Sequence, residues 1–484
     1  MAALESRPEL VSAGRLAGRL VSRALAAAAA RVQDAPLRRA LLAHLGPQAA
    51  TWPVLTASWP AFDQVNVQLG VEAWLASPGR AHELLGVTGT RYWQSGLADL
   101  LSDGPPDPLL GSPGVGSVTT EPRPAGPGGA THPCVGCGVY LIEDRGERFA
   151  LLLRGPEDGS PDEPVRLQVA AASQARAGQL LDEVRRLAAE HNVYRGQVIS
   201  FDAEDCTSAG RRPAFLARPR VGRADVVLPR DVLDGIERQV VGISRHATAL
   251  RASGQHLKRG VLLHGPPGTG KTHTVRYLLS QLPGVTVIAI SGKALGRIAE
   301  ACSVARTLQP AVIVVEDVDL IAEERTARPG EHPLLFQLLN EMEGLNSAAD
   351  VTFLLTTNRA DLLEPALAAR PGRVDLAAEL PLPDAAARRA LLRLYQGELI
   401  LDDTALDGVI ERTEGVTAPF LRELLRKAAL LAAEAEADSP DGEQEAAAPD
   451  AVLRVSAAQL TAALDQLLSS RGQLTRVLLG GQRE

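Results

Sequence analysis

The run GVLLHGPPGTGKTHTVRYLL, Gly260 to Leu279, restricts this chain more than any other stretch. VLLH reads as a buried strand and THTVRYLL as the opening of a helix. Gly265, Pro266, Pro267, Gly268, Thr269 and Gly270 join them, with Lys271 and Thr272 at the helix start. Glycines let a backbone turn its N–H groups inward onto an anion. The helix start adds the positive end of its dipole. An ammonium and a hydroxyl then stand where a phosphate chain and its Mg²⁺ need them. The plain alternative is a glycine turn before a core helix. Chance matches to this pattern are expected only about a few times per thousand such chains.

The residues around this loop alternate between strand and helix patterns. The periodicity predicts strands at 261–264, 285–290, 311–316 and 351–356, with helices at 271–281, 294–308 and 332–342. Such alternation implies a mostly parallel sheet covered by helices on both faces, the α/β class. After Pro383 the chain reads as helical, interrupted at 434–450 by the acidic tract EAEADSPDGEQEAAAPD, a surface loop by composition. One strand stands out: VIVVEDVDLI, Val312 to Ile321, runs from four apolar β-formers into Glu316 and Asp317. A buried parallel strand delivers acids to a phosphate site in this way.

With 484 residues the chain is too long for a single core. Residues 1–101 read as a mainly helical domain, holding Trp52, Trp59, Trp74 and Trp93, all the tryptophans of the chain. Residues 102–133 are dominated by Pro and Gly and read as a disordered linker. Residues 134–223 read as a small α/β domain, with strands in GVYLIED, RFALLLR and VYRGQVISFD and a helix over Ala175–His191. Its end, RRPAFLARPRVGR, is basic and reads as a solvated linker rather than a nucleic-acid patch, since no aromatics interleave the charges. The core follows at 224–383 and a helical lid at 384–484.

Charge and cysteine content exclude several functions. A net charge of -8 argues against nucleic-acid binding. Cys134 and Cys137 have knuckle spacing, and His132 is a third possible ligand, but no second cysteine pair closes a zinc site. Reduced thiols in a loop are expected. Nothing approaches ~20 uninterrupted apolar residues, and the Ala- and Arg-rich start reads as an amphipathic helix. A cytoplasmic protein with no membrane contact is expected.

Several motifs together resemble one family. GPPGTGKT at Gly265–Thr272 is the form favoured by AAA ATPases of the AAA+ superfamily. LLNEMEGL, Leu338 to Leu345, is similar to the family's inter-subunit segment. LLTTNRADLLEPALAARPGRVD, from Leu354, is similar to its second region of homology, and EGVTAPFLRELLRKAAL, Glu414 to Leu430, to its lid helix. The resemblance covers about 224–470. It implies ATP and Mg²⁺ as ligands, with Thr272 and Glu316 on the metal and Asp317 polarising the attacking water. It implies that Asn358 orients that water. Arg370 and Arg373 would be inserted by a neighbouring subunit, which implies a hexameric ring. The family's usual order at the strand end is Asp then Glu; here it is Glu316 then Asp317. The pore segment Ser291–Gly296 lacks the aromatic that polypeptide-threading members carry. The expected function is Mg²⁺-dependent ATP hydrolysis that remodels or assembles a protein partner held through residues 1–220. The alternatives are an ATP-switched scaffold and, less well supported, a DNA-acting motor.

Overall fold

The computed structural model describes residues 36–88, 96–102, 113–156, 163–201, 213–319, 333–344, 349–361, 374–437 and 452–469. The chain divides into two units, one of residues 1–194 with 203–215, the other of 195–202 with 216–484.

The first unit is built on strands β1 (Val54–Trp59), β2 (Arg80–Thr88), β3 (Gly114–Gly116), β4 (Thr120–Pro124), β5 (Thr131–Val135), β6 (Cys137–Asp144), β7 (Glu147–Arg154) and β8 (Val165–Ala170). Six of them form an antiparallel sheet in the order β1-β8-β7-β6-β2-β3. The β6–β7 hairpin closes through Arg145 and Gly146, at φ 54° and 86°, the paired left-handed conformation of a two-residue hairpin turn. The central strands are apolar at nearly every position because both faces are covered. Tyr140, Ile142, Leu151 and Leu153 pack with helices Gln64–Leu75 and Gln174–Glu190. Val139, Leu141, Ala150 and Leu152 pack with helices Pro36–Leu45 and Leu97–Leu101. Alternation along each strand therefore sends successive residues to two different cores.

This sheet corrects the division expected from the sequence. The segment 1–101 supplies β1 and β2, which pair with β8 and β6, so it forms one unit with residues from 134 onward. Pairing across so many residues leaves no local periodicity to read. The expected linker 102–133 contains β3 and most of the β4–β5 hairpin, which ends at Val135. Pro122, Pro124 and Pro133 are tolerated there because the hairpin is a separate two-stranded ribbon, which leaves ladder positions without a required N–H. Side chains hold it instead: Gln64 Nε2 donates to the Val135 carbonyl at 3.1 Å, and Arg123 Nε donates to Gln64 Oε1 at 2.5 Å. Cys134 and Cys137 lie buried in β5 and β6, free thiols in strands rather than in a loop.

The second unit contains β9 (Val198–Ser200), β11 (Arg259–His264), β12 (Thr286–Ile290), β13 (Ala311–Val315), β14 (Val351–Thr357) and β15 (Leu376–Glu379). A short strand β10 (Ala214–Leu216) lies where the chain passes between units. The order β9-β12-β13-β14-β11-β15 is parallel throughout. VYRGQVISFD thus supplies β9 to this sheet and not to the small α/β domain expected at 134–223. Val312, Val314, Val261 and Leu263 face helices Arg230–Glu237 and Lys271–Ser280. The opposite face packs against helix Ile298–Thr307. Burial on both faces explains why AVIVV is continuously apolar.

The expected helix at 294–308 begins with a 3₁₀ turn over Gly292–Arg297. The lid consists of helices Ala385–Gln396, Leu406–Arg412, Ala418–Ala437 and Ala457–Ser469 around Leu392, Phe420, Leu424 and Leu464. Helix Ala418–Ala437 runs into the expected acidic loop, so 434–437 are helical; residues 438–450 lie outside the described residues. Among the described residues no helix is long and apolar enough to cross a membrane.

Candidate functional site

Parallel registers bring the site together. His264 pairs with Thr357, and Val315 with both Ile290 and Leu355, so β11, β12, β13 and β14 end at one common edge. Open α/β sheets bind ligands at such an edge. Gly265, Glu316 and Asn358 are each within one residue of these strand ends.

The loop after β11 needs its glycines. Gly265 has φ 145°, and a Cβ there would lie 2.3 Å from the Leu380 carbonyl oxygen. Gly268 has φ 79°, and a Cβ would come within 3.0 Å of Thr417 Cβ, just before the lid helix. Lys271 is 7% exposed, and its Nζ donates to the carbonyls of Gly265 at 2.8 Å and Pro266 at 2.9 Å. Thr269 Oγ1 also donates to Pro266 O, at 3.0 Å. Burial pushes the Lys271 ammonium below its usual pKa, while the Asp317 and Asp319 carboxylates push it back up. A buried cation that, among the described residues, hydrogen-bonds only to loop carbonyls, at an exposed helix start with no acid in its first turn, fits a polyphosphate. Thr272 in that turn is exposed.

The acids leave β13 through an unusual backbone. Asp317 has φ 51°, left-handed for a residue other than glycine, a conformation Asp tolerates better than most. Its N–H donates to Thr356 Oγ1 at 3.1 Å, and the next N–H, of Val318, to Thr356 O at 2.9 Å. Glu316 N–H donates to Ile290 O at 3.3 Å. Asp317 is exposed, and Asn358 Nδ2 reaches its Oδ1 at 3.4 Å. Glu316 and Thr272 line one cleft of about 520 Å³ with Ser291 and Arg276, so both could hold a metal ion there.

Of the residues singled out from sequence, Gly265–Thr272, Glu316, Asp317 and Asn358 therefore converge. Arg370 and Arg373 lie outside the described residues, as does Leu345 of the LLNEMEGL segment. The rest of that segment is helical within Pro333–Gly344, with Leu338, Leu339 and Met342 buried. Sequence reasoning missed three residues. Asp319 is buried and accepts hydrogen bonds from Thr357 Oγ1 at 2.8 Å and Asn358 N at 3.2 Å, and Thr356 braces Asp317 as described. The signal was present as an acid two residues beyond Asp317 and two threonines directly before Asn358.

The basic run 211–223, expected to be a solvated linker, is tied down at Arg218 and Val221, while Arg220 and Arg223 are exposed. Arg218 donates to four backbone carbonyls: Leu279 at 3.2 Å, Leu282 at 3.0 Å, Gly196 at 3.0 Å and Val285 at 2.7 Å. Further along, Ser280 Oγ donates to Val221 O at 2.7 Å, and His273 Nε2 meets Asp225 O at 3.0 Å. The segment thus runs the length of helix Lys271–Ser280, from its C-terminal end back to its phosphate end.

Comparison with known proteins agrees with this geometry. Residues 261–382 match the family model "ATPase family associated with various cellular activities (AAA)". The chain is 34% identical over 259 residues to the ATP-dependent zinc metalloprotease FtsH 4 of Sphaerobacter thermophilus, covering 50% of this chain and 39% of that protein. It is 39% identical over 195 residues to the ATP-dependent zinc metalloprotease FtsH of Mycobacterium leprae, covering 37% of this chain and 24% of that protein. The FtsH of Mycobacterium bovis is 34% identical over 230 residues, with 44% and 30% covered. The chain thus spans less than half the length of these relatives. The domain at 261–382, with its phosphate loop and acid-tipped strand in one parallel sheet, is an AAA-family ATPase domain.

Proposed function

We propose that the chain binds ATP with Mg²⁺ at Gly265–Thr272, hydrolyses it to ADP and phosphate, and uses the cycle in a ring of identical subunits to remodel a protein partner held through residues 1–220. The observation that carries this reading is the convergence of the loop, Glu316, Asp317 and Asn358 at one sheet edge, with Asn358 in contact with Asp317.

The loop N–H groups and the helix start bind the phosphates. Lys271 exchanges its two carbonyl partners for phosphate oxygens, which relieves a buried charge of part of its desolvation cost. Thr272 and Glu316 would hold Mg²⁺, which when bound neutralises charge on the β- and γ-phosphate oxygens. Asp317 accepts the proton of the attacking water, and Asn358 orients that water. Arg370 and Arg373 stabilise the transition-state charge from the neighbouring subunit. The Gly268–Thr417 approach brings lid and loop together, so that nucleotide occupancy bears on lid position.

The relatives' names describe ATP-dependent proteins, which supports turnover over a pure nucleotide switch. Their names also say zinc metalloprotease. No His-Glu-x-x-His run occurs in these 484 residues, so peptide cleavage is not part of the proposed role. Asp317→Asn tests the chemistry. Asn tolerates the left-handed backbone as Asp does, so the variant should fold, bind ATP and lose turnover by about 100-fold or more. Turnover equal to wild type would place the base elsewhere. The same variant, immobilised with ATP, should capture the partner through residues 1–220.

A further inference from the structure

We propose that Asp319 is a positioning residue for ATP hydrolysis: it holds Asn358 from behind while Asp317 meets the same residue from the front. This inference rests on the proposed ATPase reading. Asn358 is bonded at two points to the exit of β13. Its main-chain N–H donates to Asp319 Oδ1 at 3.2 Å, and its side-chain amide reaches Asp317 Oδ1 at 3.4 Å. Asp319 Oδ1 also takes the Thr357 hydroxyl at 2.8 Å. That hydroxyl oxygen in turn accepts the Arg359 N–H at 2.9 Å. One carboxylate therefore fixes three consecutive residues at the end of β14.

Asp319 is 8% exposed, and among the described residues no arginine or lysine forms an ion pair with it. Burying a carboxylate costs several kcal/mol unless it is paired, and a neutral amide could accept the same two bonds. The neighbouring loop is held by a separate set of bonds, from Asp317 N to Thr356 Oγ1 and Val318 N to Thr356 O. Loss of Asp319 thus frees Asn358 without removing the brace on Asp317. Misplacement of a water-orienting group by about 1 Å can cost about 100-fold in rate.

The test is steady-state ATP hydrolysis by the full chain, with binding of a fluorescent ADP analogue measured in parallel. Asp319→Ala should lower kcat by about 100-fold and leave KM and analogue affinity within about threefold of wild type. Asp319→Asn, which keeps both accepted bonds, should recover kcat to within about tenfold of wild type. In an Asn358→Ala background, Asp319→Ala should cost no more than about a further threefold, because both act through one residue. Thr357→Val removes the hydroxyl's bond to Asp319 and the one it accepts from Arg359 N–H, without touching the acid. It should lower kcat by about fivefold and be silent in the Asn358→Ala background, which keeps the proposal testable if Asp319→Ala fails to fold. Wild-type kcat in Asp319→Ala, an Asp319→Asn variant as slow as Asp319→Ala, or losses that multiply with Asn358→Ala would each overturn it. A wild-type chain without Lys271-dependent hydrolysis would instead remove the ATPase reading and this inference with it.

Discussion

Asp317 decides how the reversed pair of acids can work. Its left-handed backbone turns the chain immediately after β13, so that the two acids leave the strand differently, Glu316 half-buried and Asp317 exposed. A left-handed conformation costs most L-residues about 1 kcal/mol or more, and Asp and Asn least. The shorter acid therefore suits the turn, while the longer Glu316 retains the reach to the cleft it shares with Thr272. The order is legible in sequence; its reason is a φ angle, which is not. The cysteines give a second residue-scale expectation. Burial pushes the Cys134 and Cys302 thiols up from 9.0 to about 12. Above pH 9 an unfolded chain releases these protons while the folded chain keeps them, so stability should fall as pH rises from 9 towards 12. Denaturant midpoints at pH 7.5 and 10 should show this loss, and Cys134→Ala/Cys302→Ala should reduce it. An equal alkaline loss in that variant would assign it to other groups.

At the scale of elements, the segment along helix Lys271–Ser280 matters most. Arg218 caps the last carbonyls of that helix and the turn after it, an arrangement that suits a guanidinium and the negative end of a helix dipole. Hydrogen bonds to a charged group are worth about 1.5–3 kcal/mol each and are not additive. Arg218→Ala should therefore destabilise the chain by about 3 kcal/mol in urea denaturation, and Arg218→Lys should recover little, since an ammonium lacks the planar fork. A change below about 0.5 kcal/mol would show the contacts to be dispensable. In sequence this arginine is one of several in a basic run, and nothing local separates it from its solvated neighbours. By contrast, β11, β13 and β14 were legible because strands buried on both faces read as unbroken apolar runs. The first unit was not: β1 pairs with β8 and β2 with β6 across more than fifty residues, and the β4–β5 hairpin hides under a proline- and glycine-rich composition.

For the whole molecule, the proposed site within one chain brings together the residues assigned to polyphosphate binding, metal holding and water orientation. The proposed transition-state arginines, Arg370 and Arg373, complete it only from a second copy. Mixing Arg370→Ala/Arg373→Ala chains with Lys271→Ala chains should restore activity that neither has alone, because some mixed interfaces pair an intact loop with intact arginines. Absence of rescue in mixtures shown to co-assemble would count against action in trans.

The central claim is that the loop, the two acids and Asn358 at one sheet edge form an ATP-hydrolysing site. Phosphate release from ATP with Mg²⁺ by the full chain, compared with Lys271→Ala, tests it most directly. The account predicts turnover in the wild type and its loss by about 100-fold or more in the variant. Equal rates in the two proteins would contradict it.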